Sequence, residues 1–234
     1  MAKLPTGPLA RVWEGLTDRS KLLAWSIIAN DGIIATAGLL EGFAGAGADD
    51  RVLLMAATAA TLAGMLAVGG VEWMEASVER EAQLSLVAEE QREIDADPEQ
   101  ELADLAAHYE QRGVSPELAI QVAQQLMAHD PLAAQLDSEH GIREVTSVGD
   151  TVLAGVGGAL AFGLGALIPL LITLMFPVGI EATAILVAVV ISLSLTSVVT
   201  ARLGETPLWR TLLRSLLVGV GTLLVSYAVG SLLF

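Results

Sequence analysis

Five apolar segments, each long enough to cross a lipid bilayer, constrain the fold of this 234-residue chain more than any other feature. A bilayer core of roughly 30 Å requires about 20 apolar helical residues. Backbone groups inside it must bond within their own segment, so such stretches are helical. The predicted fold is therefore all-α, a five-span membrane helix bundle, with spans at about residues 22–46, 53–76, 149–176, 180–201 and 208–233.

Charge and apolarity occupy different parts of the chain. Hydrophobic residues make up 53% of it, yet the formal net charge is −15. Most carboxylates fall between spans two and three, which predicts an acidic soluble module at 77–147. The flanking domains are 1–76, with spans one and two, and 148–234, with spans three to five. Because no basic face is present, nucleic acid is excluded as a partner.

The distribution of Lys and Arg predicts the orientation in the membrane. Cytoplasmic loops of membrane proteins carry an excess of these residues. A cytoplasmic N-terminus places the acidic module in the cytosol and leaves only Arg51 outside. The cations then on the inner side are Lys3, Arg11, Arg19, Lys21, Arg80, Arg92, Arg112, Arg143, Arg202, Arg210 and Arg214.

Helix start and stop signals predict a small helical bundle in the acidic module. Span two has no breaker at the membrane surface, so it should continue as a stalk through Glu93. Asp97-Pro98 has an N-cap followed by proline at the first helical position, and Ser115-Pro116 repeats this pattern. Gly113 should end the first of these helices and Pro131 the second. About three helices are expected.

Carboxylates three residues apart suggest a metal site in this module. Glu90 pairs with Glu93, and Glu101 with Asp104, each pair on one helix face. If the two helices fold together, four carboxylates converge, and oxygen-rich sites suit divalent cations. Met127 and Asp130 repeat the spacing, and a thioether there would favour a softer metal. The alternative is that these acids are simply solvated, as on most acidic helices.

The histidines and the absence of cysteine narrow the chemistry. With no cysteine, disulfides, thiolate metal sites and cysteine nucleophiles are excluded. His108 lies four residues after Asp104 and is a weaker candidate ligand. His129 and His140 are predicted to be surface residues. No Glu-x-x-His pair occurs, so the di-iron bundle signature is missing, and Asp137-Ser138-Glu139-His140 is only a weak substitute for it.

Three carboxylates in or near the first two spans suggest a path across the membrane. Asp31 lies near the predicted bilayer centre, where an ionisable group is costly and usually functional. Glu41 lies about 15 Å further outward along the helix, and Glu72 lies near the cytosolic end of span two. The alternatives are a protonated Asp31 held by helix–helix hydrogen bonds, and interfacial positions for Glu41 and Glu72.

Collinear motifs from about Ala29 to the end resemble the vacuolar iron transporter family, especially its bacterial members. The residues that carry the resemblance are Ala29-Asn30-Asp31-Gly32, Thr36-Ala37-Gly38-Leu39, Asp97-Pro98-Glu99-Gln100-Glu101-Leu102, Tyr109-Glu110-Gln111-Arg112-Gly113, the segment from Ala123 to Asp130, the segment from Gly165 to Leu171, and Ala201-Arg202-Leu203-Gly204.

The resemblance implies a homodimer that exports cytosolic divalent metal, Fe²⁺ or related ions such as Mn²⁺, Co²⁺ and Zn²⁺, in exchange for protons. Its acidic cytosolic helices would bind metal. By position, the ligands would be Glu90, Glu93, Glu101, Asp104, Met127 and Asp130, and the family's first-span aspartate would be Asp31.

Two features bear on the membrane path and the dimer. In span two, Ala67-Val68 replaces the family's Ser-Met, so Met65 or Met74 would have to supply a thioether. In span one, the small-residue pair Gly38 and Gly42 favours close helix contact at the dimer axis.

The leading hypothesis is a non-enzymatic, proton-coupled exporter in the lipid bilayer, placed in a bacterial inner membrane. The alternative is a membrane-bound metal buffer or sensor that binds metal without conducting it. An intramembrane hydrolase using Asp31 and Glu72 is disfavoured because no nucleophile motif accompanies them.

Overall fold

The computed structural model describes residues 18–176 and 178–233, with the backbone alone given for 178–182. The N-terminal cations Lys3 and Arg11, for which a cytosolic position is predicted, lie outside these residues. The described residues form helices and contain no strand, which confirms the all-α prediction. The helices are α1 Arg19–Gly45, α2 Asp50–Ala96, α3 Pro98–Gln111, α4 Pro116–His129, α5 Pro131–His140, α6 Val148–Met175, α7 Val178–Leu203 and α8 Leu208–Leu233.

Five of these helices, α1, α2, α6, α7 and α8, are long and apolar enough to cross a membrane. They match the five predicted spans. Helix α2 extends for 47 residues, well beyond its apolar part at 53–76. The predicted stalk is therefore present and ends at Ala96, three residues later than expected.

The chain divides into two compact units. The apolar unit contains residues 18–72 and 154–233, and the acidic unit contains residues 73–153. Helix α2 contributes to both, because its apolar part lies in the first unit and its charged part in the second.

Glycines allow very close helix contacts in the apolar unit. A β-carbon on Gly32 of α1 would overlap the carbonyl oxygen of Phe162 in α6. One on Gly165 of α6 would overlap the carbonyl oxygen of Ala29. Such close backbone approach is the usual role of small residues in membrane helices, where dispersion contacts replace the hydrophobic effect.

A row of polar contacts joins α1 to α7. Asn30 accepts a hydrogen bond from the hydroxyl of Thr196, and the hydroxyls of Ser26 and Thr200 lie 3.0 Å apart. At the end of the row, Arg19 donates to the Leu203 carbonyl oxygen at 2.6 Å. Arg19 thereby satisfies one of the free carbonyl groups at the C-terminus of α7.

The acidic unit contains one more helix than predicted. The side chain of Asp97 caps α3 by accepting from the Gln100 N–H, as expected. The prediction that Pro131 ends the preceding helix is confirmed, because α4 ends at His129, but the helix that follows Pro131 was not predicted. Pro131 is the first residue of α5, and Asp130 caps that helix by accepting from the Ala133 N–H. Helices α3 and α4 pack through Leu105, Ala106 and Ala123, with Ala134 of α5 against them.

Candidate metal centre

Glu90 lies at the centre of the most concentrated group of ionisable side chains in the acidic unit. It is on α2, about 21 Å beyond the end of the apolar part at a rise of 1.5 Å per residue, and only 1% of its surface is exposed. Its Oε2 lies 3.5 Å from Nε2 of His140. One possible ligand atom each from Glu90, Glu139 and His140 lies within 4.8 Å of the others.

Burial leaves part of Glu90 unsatisfied. No hydrogen-bond donor among the described residues reaches its Oε1. Burial, together with repulsion from Glu139, Glu101 and Glu93, raises the pKa of Glu90 to about 7, against 4.5 for an ordinary glutamate. Carboxylates from α2, α3 and α5 therefore act on one buried group, and such an arrangement favours a bound cation.

Glu101 of α3 is held in this group by Gln135 of α5. The Gln135 amide donates to Glu101 Oε2 at 2.7 Å and to the Glu101 carbonyl oxygen at 2.8 Å. Gln135 is fully buried, and its own Oε1 accepts from Ser138. Burial first, and then repulsion from Glu139, Glu93 and Asp104, raises the pKa of Glu101.

Glu93 and Asp104 lie at the exposed edge of the cluster. Both carboxylate oxygens of Asp104 accept from the Gln100 amide, each at 3.0 Å. Of the four carboxylates expected to converge, Glu93 acts electrostatically on both Glu90 and Glu101, whereas Asp104 acts on Glu101.

The structure places the other two predicted ligands elsewhere. Met127 packs against the apolar cluster of Leu105, Ala106 and Ala123. The Asp130 carboxylate is engaged as the N-cap of α5. Asp130 is not part of the group that Glu90, Glu139 and His140 form. Spacing along the sequence does not by itself distinguish a capping aspartate or a packed methionine from a ligand.

The histidines also differ from expectation. His140 was expected at the surface and does lie at an exposed position, but its imidazole faces Glu90. His108 and His129 line a separate polar groove of about 610 Å³. Gln135 was not singled out from the sequence, and Glu139 and His140 were considered only as a weak substitute for a di-iron signature; all three lie on α5. The sequence signal for α5 is Asp130-Pro131, an N-cap aspartate followed by proline, which is also the pattern that starts α3.

The donors around Glu90 are carboxylate oxygens and one imidazole nitrogen. Oxygen donors favour hard divalent cations, and an imidazole extends the range to first-row transition metals.

In the apolar unit, Asp31 lies on an exposed stripe of α1. Ala24, Ile27 and Ala35 share this stripe at spacings of three or four residues. The opposite sides of α1 are covered, because Asn30 bonds to α7 and Gly32 contacts α6.

The remaining path candidates have different surroundings. Glu41 is buried, with 5% of its surface exposed. Glu72 lies against Gly158 of α6, and the Met65 sulfur lies against Gly163 of the same helix. Met65 also packs on the cluster that contains Phe162, so its thioether is part of the α2–α6 packing.

The pair Gly38 and Gly42 contacts α8 of the same chain. Gly38 lies against Thr222 and Ser226, and Gly42 lies against Ser226. These glycines are therefore used within the chain, and they are not the dimer surface that was expected from the sequence.

Comparison with known proteins gives a consistent set of matches. Residues 26–231 match the model of the VIT family. A vacuolar iron transporter of Acanthamoeba castellanii is 33% identical over 149 residues, which cover 64% of this chain and 54% of that protein. Vacuolar iron transporter 2 of Oryza sativa subsp. japonica is 29% identical over 165 residues, covering 70% of this chain and 67% of that protein. The match thus spans about half of the amoebal protein.

Proposed function

Because the chain belongs to the VIT family and is an integral membrane protein, we propose that it is a proton-coupled exporter of divalent transition metal. It moves Fe²⁺, or a related ion such as Mn²⁺, out of the cytosol. Both relatives are named as vacuolar iron transporters, which supports iron as the cargo. The protein is not an enzyme on this proposal.

The convergence of carboxylates on buried Glu90 is the observation that carries the proposal. Bringing several acids together costs free energy through mutual repulsion, and burying one adds a desolvation cost. A bound divalent cation offsets both costs. The cluster thus has the properties of a site that collects metal, with Glu90, Glu93, Glu101, Asp104 and Glu139 as its carboxylates.

The transport path runs through the apolar unit, with Asp31 as its central group. A divalent ion crossing a hydrocarbon layer needs a compensating anion, because desolvation without one is very costly. A carboxylate can also take up a proton when the metal leaves, which gives exchange. Glu72 serves the inner end and Glu41 the outer end.

The positions of the cations support export from the cytosol. In the proposed orientation the acidic unit and the N-terminus face the cytoplasm, and only Arg51 lies outside. Metal is then collected on the side that holds the basic loops. The bacterial inner membrane is the proposed location.

The exposure of Asp31 supports a homodimer. A carboxylate near the bilayer centre cannot face lipid without a large cost. A second copy that covers the stripe of Ala24, Ile27 and Ala35 removes Asp31 from lipid and places two such carboxylates at one two-fold axis.

A membrane-bound metal buffer or sensor is the second candidate. It is favoured by span two, where Ala67-Val68 offers no thioether and the Met65 sulfur packs against α6. Such a protein would bind metal in the acidic unit and conduct none.

Metal flux into proteoliposomes tests the proposal. Vesicles with a pH-sensitive dye inside should show Fe²⁺, Mn²⁺, Co²⁺ or Zn²⁺ movement coupled to protons. Asp31→Asn keeps the shape but cannot cycle a proton, so flux should be lost while metal binding remains. The control Asp50→Asn alters an exposed acid at the start of α2 and should transport normally.

The outcomes separate the candidates. Binding without flux in the wild-type protein would support the buffer or sensor. Near-normal proton-coupled flux in Asp31→Asn would place the coupling carboxylate elsewhere, with Glu72 or Glu41 to be tested next.

A further inference from the structure

We propose that His140 is the nitrogen ligand of the metal site in the acidic unit, and that it biases the site toward Fe²⁺, Co²⁺ and Zn²⁺ over Mn²⁺ and Mg²⁺. This inference rests on the proposed function only in that the carboxylate cluster takes up metal. It adds a ligand that the spacing of acids does not predict, and it names the class of ion preferred.

The end of α5 fixes the position of His140. Gly141 has φ of 67°, and its N–H donates to the Leu136 carbonyl oxygen. The N–H of Ile142 donates to the same oxygen at 2.9 Å. This left-handed turn ends the helix directly after His140, as glycine does at many helix C-termini. The imidazole is therefore held at the end of a capped helix.

The surroundings of Glu90 call for more than an ion pair with His140. A protonated His140 would interact with Oε2, 3.5 Å away, but Oε1 would still have no donor among the described residues. Glu139 adds a further negative charge within 4.8 Å. A metal ion bound by Glu90, Glu139 and His140 satisfies the buried carboxylate and reduces the repulsion.

The donor set determines the preferred ion. Carboxylate oxygens suit Mg²⁺ and Mn²⁺, whereas imidazole suits iron, cobalt, nickel, copper and zinc. His140 is the only nitrogen donor in the described cluster, since His108 and His129 line the separate groove. Selectivity in this site should therefore depend on one side chain.

Calorimetry on the full-length protein in detergent tests the inference with Zn²⁺, Co²⁺ and Mn²⁺. We expect His140→Gln to weaken Zn²⁺ and Co²⁺ binding by roughly tenfold or more, and Mn²⁺ binding by less than about threefold. His140→Glu retains a donor but changes it to oxygen, so it should bind Mn²⁺ and lose the preference for Zn²⁺. The matched control His108→Gln should leave all three affinities unchanged.

A spectroscopic measurement makes the ligand identity visible. Bound Co²⁺ should show shifted d–d absorption bands in His140→Gln and unshifted bands in His108→Gln. Unchanged Co²⁺ bands, or equal losses for all three metals in His140→Gln, would overturn the inference. Glu90→Gln separates the two proposals: if it abolishes binding and His140→Gln does not, the carboxylate site stands and the nitrogen ligand falls. If Glu90→Gln also binds normally, the metal site itself is disproved.

Discussion

Glu90 and Asp31 are both carboxylates in unfavourable places, and each is unfavourable for a different reason. Glu90 is buried among other acids in the acidic unit, so desolvation and repulsion act on it together. Asp31 is exposed on the single chain, in a segment whose surroundings are apolar. The cost at Glu90 is relieved by a proton or a cation, and the cost at Asp31 by a partner that excludes lipid.

The raised pKa of Glu90 predicts that the metal-free acidic unit loses stability as pH rises. The folded state keeps the proton up to about pH 7, whereas the unfolded chain releases it near 4.5. The stabilisation that the folded state gains from the proton on Glu90 is therefore complete below about pH 4.5. It is lost as the pH rises through about 7. The free energy of unfolding should fall by at most about 1.4 kcal/mol per pH unit, the limit for one proton.

Hydrogen exchange of the α3–α5 amides in the full-length protein, with a metal chelator present, measures this effect. After correction for intrinsic exchange rates, protection should decrease between pH 5 and 7. Glu90→Gln should flatten the decrease, and added divalent metal should restore protection at pH 8. Protection that rises with pH, or an equal slope in Glu90→Gln, would show that Glu90 does not hold a proton in the folded state.

At the scale of helices, contacts in the apolar unit depend on backbone approach at a few glycines. The α1–α8 contact is an example, because Gly230 of α8 lies over the carbonyl oxygen of Gly42. Gly221 of the same helix has no atom within 4 Å of the position where a β-carbon would be. Gly230 and Gly221 therefore form a matched pair for substitution, because one is in close contact and the other is in open space.

Gly230→Ala should lower the thermal stability of the detergent-solubilised protein, because its β-carbon would push α8 away from α1. Overpacking of this kind typically costs about 1–3 kcal/mol. Gly221→Ala should be neutral or stabilising, since alanine is the better helix former. A melting curve for Gly230→Ala equal to that of Gly221→Ala would contradict the close approach.

Which helices could be predicted depended on how clear the local signals were. The five spans follow from apolar length alone, and α3 follows from its aspartate cap and proline. Helix α5 was missed because Pro131 satisfies two rules at once: it cannot continue α4, and it is well suited to begin a helix, where its absent N–H has no cost. Gln135 was missed with it, and Glu139 and His140 were only weak candidates, since tertiary packing, not spacing, brings these residues to the carboxylate cluster.

At the scale of the whole molecule, the proposed function assigns metal binding and metal permeation to different units. Carboxylates that collect metal can repel one another in water at modest cost, whereas a span tolerates very few charges. The apolar unit therefore keeps Asp31, Glu41 and Glu72, and the acidic unit holds the larger group. The acidic and apolar segments are visible in the charge distribution along the chain, but the exposed side of Asp31 emerged only from the helix packing.

The exposed stripe on α1 predicts where two copies meet. Single cysteines at Ala24, Ile27 or Ala35 should form an intermolecular disulfide in the membrane under mild oxidation, because equivalent residues near a two-fold axis approach each other. A disulfide requires Cα atoms within about 7 Å, so the yield reports close contact. The natural chain has no cysteine, and no background cross-link is expected.

Cysteines on an exposed side of α8 provide the control. Leu217 and Leu224 are as accessible on the single chain, with 66% and 61% of their surfaces exposed, but they carry no charge that needs protection from lipid. If α8 cross-links and α1 does not, the dimer lies on another side of the molecule. Asp31 would then face lipid or an unrelated partner, and the argument that a second copy shields it would fail. If α1 cross-links with the three-to-four-residue periodicity of the stripe, the two Asp31 carboxylates lie at one interface, where a single divalent ion can be shared between them.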